Sequence, residues 1–246
     1  EISLGLVGSE MCIRDSPSGS HYQDSISNLL AAYFREKNET TRIRSIGRLD
    51  KETSGILLFA RNQVAAARLQ KQREEGKLQK KYLALAEGDL SEANDSVFWK
   101  EIAIPLAPDP ENPMKMKISP DGLLPGSRNA VTYYKNIKSF GNVTLVELQL
   151  ETGRTHQIRV HMSGIGHPLL GDTMYNPRVC LKMSNSKEKK NTEGRINNRN
   201  DCFKRAALHA WKLTFCHPFT DEIITLEAPL PDDFCRFLNA NEEEKT

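Results

Sequence analysis

The chain of 246 residues has no long hydrophobic run and no paired cysteines. No stretch approaches the roughly 20 apolar residues that a membrane-spanning helix needs. The first residues show neither the basic start nor the apolar run of a secretory signal. The five cysteines are scattered, and because none lies in a Cys-x-x-Cys pair, they indicate neither a disulfide framework nor a zinc site. We therefore expect a protein of the reducing cytosol with no membrane partner.

A strong charge of one sign is also absent, because 34 Lys and Arg residues face 32 Asp and Glu residues and leave a net charge of +2. The distribution of charge is uneven. Residues 41–90 contain 11 basic and 6 acidic residues, whereas residues 220–246 contain 2 and 8. A locally basic segment suits a phosphate-rich partner, since the backbone charge dominates nucleic-acid affinity. The solvated faces of ordinary helices are the alternative explanation of this charge.

The length of the chain fits one large domain or two small ones. Hydrophobic periodicity predicts a mixture of helices and strands in it. Helices are predicted for residues 24–37, 63–75 and from 156 onward, and strands for 56–60, 82–87, 143–150, 208–215 and 222–227. Asn62 is predicted to cap the second helix and Gly76 to end it. Since the elements follow no regular βαβ repeat, we expect an α+β fold with a mixed, largely antiparallel sheet flanked by helices and loops.

Two stretches lack this periodicity. Residues 105–125 are rich in proline, which predicts a structured loop or an edge hairpin. Residues 176–205 are polar, with nine basic and three acidic residues, and predict a long surface insertion. Contact with RNA and simple disorder both remain open for that insertion.

The most informative segment places one carboxylate, Asp50, between a basic residue and a Thr-Ser-Gly turn, directly before an apolar run. A carboxylate in this setting can act as a nucleophile if it is ionised yet shielded. This segment and three later ones resemble, in the same order, the RluA-type RNA pseudouridine synthases. The four segments are Gly47-Arg48-Leu49-Asp50-Lys51-Glu52-Thr53-Ser54-Gly55, Lys80-Lys81-Tyr82, Thr152-Gly153-Arg154-Thr155-His156-Gln157-Ile158-Arg159-Val160-His161, and Leu208-His209-Ala210 with His217-Pro218.

The resemblance implies an isomerase that converts specific uridines of rRNA or tRNA to pseudouridine with no cofactor and no metal. It assigns the catalytic role to Asp50, with Arg154 as its permanently charged, bidentate partner. Tyr82 is expected to stack on the target base and to take part in proton transfer at C5. Core packing is the alternative role for Tyr82.

The resemblance also implies contacts with RNA. Arg48 is expected to help displace the target nucleotide from its helix, because C1′ and C5 are inaccessible while the base is stacked. Lys80, His156, Gln157 and Arg159 are the other expected RNA-binding residues. For the last three, organisation of the loop under the active site is an alternative to contact with phosphate.

Two separate resemblances divide the chain, one to a sequencing artefact and one to the synthase family. Residues 1–16 are similar to a translated sequencing adapter and are expected to be a non-native extension outside the fold. Residues 17–238 are the expected catalytic domain, with the insertion at 176–205, and residues 239–246 form a tail. An early strand and any N-terminal RNA-binding domain are expected to be missing, which would leave a sheet edge unpaired. A monomer is the expected state.

Other functions have less support. A non-catalytic RNA-binding protein that retains the synthase fold is the main alternative. A metal-dependent hydrolase is disfavoured because His156, His161 and His167 are not spaced four residues apart and have Arg154 and Arg159 between them. A nucleoside deaminase is disfavoured because the chain lacks a His-x-Glu segment with a downstream Pro-Cys-x-x-Cys.

Overall fold

The structure, a computed structural model, describes residues 2–7, 25–39, 42–90, 98–180 and 203–243. The chain forms two compact units, residues 1–81 with 209–231 and residues 82–208 with 232–246. Each unit is therefore built from two separate stretches of sequence. No helix in the described part of the chain has the length and apolar character needed to cross a membrane.

The elements follow in chain order. They are β1 (Ile2–Val7), α1 (Ile26–Glu36), β2 (Arg44–Ile46), β3 (Ser54–Ala60), α2 (Gln63–Glu74), β4 (Gln79–Glu87), β5 (Lys100–Ala103), β6 (Leu106–Asp109), β7 (Asn112–Ile118), β8 (Val131–Ser139), β9 (Val143–Leu150), α3 (Gln157–Gly164), β10 (Leu208–Cys216), β11 (Ile223–Glu227) and α4 (Asp232–Glu243).

Strand β3 is buried along its whole length and is the centre of the first unit. Strand β1 pairs antiparallel with residues 55–60 of β3 and strand β2 with residues 58–60, so β1 and β2 lie on opposite edges of β3. Strand β10 runs parallel to the start of β3, with His209 opposite Ser54, and β11 pairs antiparallel with β10. The buried strand that the sequence predicts at residues 56–60 is thus confirmed.

Strand β1 differs from expectation, because residues 1–16 are expected to lie outside the fold. Ile2 pairs with Ala60 and Val7 with Gly55 through backbone hydrogen bonding. An open strand edge presents N–H and C=O groups that an extended segment can satisfy, and β-branched residues favour extended backbone. The edge expected to be unpaired is therefore occupied. The non-native origin of residues 1–16 and the expected domain boundaries stay predictions.

Helix α2 begins and ends where its sequence predicts. The Asn62 side chain accepts a hydrogen bond from the Ala65 N–H at 2.8 Å, and Gly76 follows the helix with a φ of 70°. Ala65 and Leu69 bury the inner face of the helix against β2, β3 and β10. The buried cluster consists of Ile46, Ile56, Leu58, Ala60, Ala65, Leu69, Leu213, Phe215 and Ala228.

In the second unit, the strands follow the spatial order β4-β9-β8-β5. Strands β8 and β9 pair antiparallel, as do β5 and β8. The proline-rich stretch forms the separate antiparallel hairpin β6–β7, which confirms the hairpin alternative for that stretch. Helix α4 packs Phe234 edge-on against Phe203 and Phe237 edge-on against Phe140.

Six of the strand pairs described above are antiparallel and one is parallel, with helices alongside. This arrangement confirms the expected α+β fold with a mixed, largely antiparallel sheet. Strands β2, β5 and β8 and helix α4 are not among the predicted elements. Residues 181–202 of the expected insertion lie outside the described residues.

We expect Gly55→Ala to lower the free energy of unfolding by about 3 kcal/mol or more, from backbone strain and overpacking together. Gly55 has a φ of 113°, and a Cβ atom there would lie 2.2 Å from the Ala210 carbonyl oxygen. Urea denaturation measures the loss. Gly76→Ala is the matched control, because its φ is 70° but nothing lies within 4 Å of the added atom. That variant should lose only about 1–2 kcal/mol; equal losses would show that the approach to Ala210 imposes no cost.

Candidate active site

Asp50 lies in a tight turn between β2 and β3. Its carbonyl oxygen accepts a hydrogen bond from the Thr53 N–H at 2.9 Å, which closes the turn. Leu49 is buried, Asp50 is half-buried and Arg48 is exposed. The leucine anchors the turn in the apolar interior, while the carboxylate stays accessible at the surface. This is the partial shielding that a reactive carboxylate needs.

The position of the turn is set by the crossing of β3 and β10. Ser54 Oγ lies 2.9 Å from His209 Nδ1, and both side chains are buried. Gly55 follows directly and lies against the backbone of Ala210. The start of β3, four residues after Asp50, is therefore held by a polar pair and by close backbone packing. Sequence reasoning gives Ser54 a role in shaping the loop that holds Asp50 but gives no role to His209, although a polar residue near the start of each apolar strand is a signal for such a pair.

In the other unit, Gln157 holds in place the third of the four segments, residues 152–161. Its Oε1 accepts hydrogen bonds from the Arg154 N–H and the Thr152 hydroxyl, both at 2.9 Å. Its Nε2 donates to the Val131 carbonyl and to Thr132 Oγ1, both at 3.0 Å. Both acceptor and both donor positions of the amide are thus used. The loop before α3 is fixed by one buried side chain that joins it to strand β8.

Arg154 extends from this fixed loop and is half-buried. Its Nε donates to the Asn129 carbonyl at 3.0 Å, which orients the guanidinium group. Within the described residues of the second unit, Nη1 and Nη2 of Arg154 have no hydrogen-bond partner. These two nitrogens form the bidentate edge that an arginine offers to a carboxylate or a phosphate.

His161 continues the same polar network beneath the loop. Its Nε2 lies 2.9 Å from the Ile104 carbonyl oxygen, which only accepts, so Nε2 carries the proton. Its Nδ1 accepts from the Thr132 hydroxyl at 2.9 Å. Burial lowers the pKa of His161 below its ordinary value of 6.5, so the ring is neutral near pH 7.

Arg159 is buried and paired inside the protein. Its Nε and Nη2 donate to Asp172 at 2.8 and 2.7 Å, and Asp172 also accepts the N–H groups of Met174 and Tyr175. Arg159 and Gln157 are each 2% exposed. Burial and internal hydrogen bonding favour the alternative role for both residues, which is to organise the loop. Their contact with RNA stays a prediction.

The remaining predicted site residues are distributed over both units. Arg48, Asp50 and Lys80 belong to the first unit, and Tyr82, Arg154 and His156 to the second. Tyr82 is buried in β4, and Lys80 on the same strand is half-buried.

The three motif histidines make separate contacts. His156 lies 2.8 Å from the Tyr175 hydroxyl, and His167 lies 2.8 Å from the Glu87 carbonyl oxygen. His161 is held by Thr132 and Ile104. Among the described residues, no three His, Cys, Asp or Glu side chains come together as a metal-ligating group.

Comparison of the chain with known proteins identifies its family. A family model described as RNA pseudouridylate synthase matches residues 14–164, a span that includes Asp50, Tyr82 and Arg154. The chain belongs to the RNA pseudouridylate synthase family. Members of this family are isomerases, and the expected enzyme class is thereby confirmed.

Several relatives show how far this pseudouridine synthase resembles known ones. The RNA pseudouridine synthase YhcT of Bacillus subtilis (strain 168) is 36% identical over 242 residues, which are 95% of this chain and 70% of the relative. Ribosomal large subunit pseudouridine synthase D of Pasteurella multocida is 34% identical over 224 residues, 91% of this chain and 64% of the relative. Human RNA pseudouridylate synthase domain containing 4 aligns with a TM-score of 0.68 at 25% identity, over 92% of this chain and 88% of that structure.

We expect the synthase to lose stability through His161 as the pH falls below 6.5. The unfolded chain then binds a proton that the buried, neutral histidine resists, so the unfolded state is favoured until the lower folded-state pKa is passed. The measurement is the free energy of urea unfolding at pH 7.5 and pH 5.5 for the wild type and for His161→Gln. The variant lacks this titration and should lose less stability over the same interval. Identical losses would contradict the assignment of a neutral, buried His161.

Proposed function

We propose that this protein isomerises specific uridines of ribosomal RNA to pseudouridine with Asp50 as the catalytic carboxylate. The observation that carries the proposal is the half-buried Asp50 in a closed turn between the exposed Arg48 and the buried strand β3. The relative in Pasteurella multocida is a ribosomal large subunit synthase, which supports rRNA as the first substrate to test. Transfer RNA is the second substrate class in the proposal. A monomer in the cytoplasm is the accompanying proposal, retained from the sequence.

The reaction needs no redox partner. The C1′–N1 glycosidic bond breaks, the base turns, and a C1′–C5 bond forms; C5 loses a proton and N1 gains one. Asp50 starts the reaction by attack on the sugar, by attack on the base, or by removal of a sugar proton. Each route needs an ionised carboxylate, which a neighbouring cation favours over the neutral acid. Arg154 supplies that cation in the family resemblance, and its pairing with Asp50 stays a prediction.

Two further residues have roles in the proposal. Arg48 is exposed next to Asp50, so its guanidinium can enter an RNA helix and occupy the place of the displaced nucleotide. Tyr82 is buried in β4, and its proposed role, retained from the family resemblance, is to stack on the target base and to take part in proton transfer at C5. Lys80 and His156 are half-buried and stay proposed RNA contacts.

We expect Asp50→Asn to lower product formation by a factor on the order of 10⁴ or more, while RNA affinity is nearly unchanged. Ribosomal and transfer RNA transcripts are incubated with each protein, without added metal or cofactor, and digested to nucleosides. Chromatographic retention time identifies pseudouridine, because it has the same mass as uridine. Asp221→Asn is the matched control, since Asp221 is an exposed carboxylate in the same unit, and it should keep full activity.

The outcomes separate the competing functions. Product from the wild type on rRNA alone would support ribosomal RNA as the substrate class. Product on tRNA alone would move the proposal to transfer RNA. Undiminished product from Asp50→Asn would remove Asp50 from the catalytic role. RNA binding by a folded wild type that forms no product would favour the non-catalytic RNA-binding alternative.

A further inference from the structure

The turn that leads to Asp50 is bordered by a cation from helix α2. Gly47 has a φ of 83°, and the Ser45 hydroxyl donates to its carbonyl oxygen at 2.6 Å, which fixes the bend. A Cβ atom at residue 47 would lie 3.8 Å from Nε of Arg73. The space beside Gly47, where other residue types would place a side chain, is therefore lined by the Arg73 side chain.

The packing of α2 explains why Arg73 lies there. Leu69 is fully buried against β2 and β3, and Arg73 follows it by four residues, which places both on the same side of the helix. The buried side of α2 thus continues, one turn later, toward the end of β2. Ile46, the last residue of β2, belongs to the same cluster as Leu69 and directly precedes Gly47.

The charge of Arg73 is not neutralised by this unit. Arg73 and Arg48 are both exposed. Neither side chain has an ion-pair or hydrogen-bond partner in the described part of the first unit. Four other cations of this unit differ in this respect. Arg61 pairs with Glu39, Lys71 and Lys77 pair with Glu75, and Arg68 donates to the Pro218 carbonyl.

We propose that Arg73 binds a backbone phosphate of the RNA beside the target uridine, and that Gly47 leaves the space in which it does so. This inference rests on the proposed function, since it assumes that RNA enters at the Asp50 turn. An exposed guanidinium binds a phosphodiester through two parallel N–H donors, and a phosphate there fixes the register of the strand without reading its sequence. Arg48 and Arg73 then act at the same turn, Arg48 on the extruded nucleotide and Arg73 on the backbone next to it.

A purely structural role for Arg73 makes a different prediction. Arg73 lies in the last turn of α2, where a cation interacts favourably with the helix dipole. If that were its whole role, its replacement would change the stability of the protein and leave RNA affinity and its salt dependence unaltered.

The test compares Arg73→Gln with Lys71→Gln in the full chain. The two variants remove the same charge from the same helix, but Lys71 is two residues away on another face and is paired with Glu75. Dissociation constants for an rRNA transcript that the wild type modifies are measured from 50 to 200 mM salt. We expect Arg73→Gln to weaken binding about tenfold, as for one lost charge-assisted contact, and to reduce the slope of log Kd against log salt by about 0.7 to 0.9. Lys71→Gln should stay within about twofold of the wild type on the same assay, since its charge lies away from the phosphate contact.

Two more readouts complete the test. The loss in Arg73→Gln should fall mainly on KM and less on kcat, and Arg73→Lys should recover part of the affinity because it keeps the charge. Equal affinities and slopes for Arg73→Gln and Lys71→Gln would overturn the proposal, as would a loss of stability with no loss of affinity. Retained activity in Asp50→Asn, by contrast, would overturn the proposed function while leaving the Arg73 contact measurable.

Discussion

The first unit depends on one close approach between two backbones, that of β3 and β10 at Gly55 and Ala210. A side chain at residue 55 would collide with the Ala210 carbonyl, so the parallel pairing exists because the residue is glycine. The same crossing buries the contact between Ser54 and His209. Because protein interiors are closely packed, a shift of β10 would be transmitted to the start of β3 and to the turn before it. The location of the carboxylate is thus a consequence of backbone packing several residues away.

Local signals in the sequence predicted the elements that depend on local physics. Helix α2 has a side-chain cap at Asn62 and a glycine after its end, and strand β9 was predicted with its observed bounds of 143–150. Strand β8 was missed for a physical reason. Its buried positions include Thr132 and Asn136, so a search for apolar alternation finds no strand there. Strand β2 has only three residues, which is too short for any periodicity to show.

The motif residues of the candidate site were predictable from the sequence, but the tertiary contacts that hold them in place were not. Asp50 and Arg154 were identified because their motifs are contiguous in the sequence. The contacts of Gln157 with Thr132 join positions 25 residues apart, and those of Arg159 with Asp172 join positions 13 apart. An amide or a guanidinium binds RNA and protein oxygens by the same chemistry, so the sequence could not decide between the two roles. Burial favours the structural role, and burial depends on the tertiary structure.

The space beside Gly47 makes residues 47 and 73 interdependent in evolution. A Cβ atom at residue 47 would lie at ordinary contact distance from Nε of Arg73, and the atoms of a longer side chain would share the same space with Arg73. Substitutions of residues in contact are not additive in their effects. The effect of a long side chain at residue 47 therefore depends on which residue stands at 73. Glycine itself is favoured at 47 by the φ of 83°, whichever residue stands at 73.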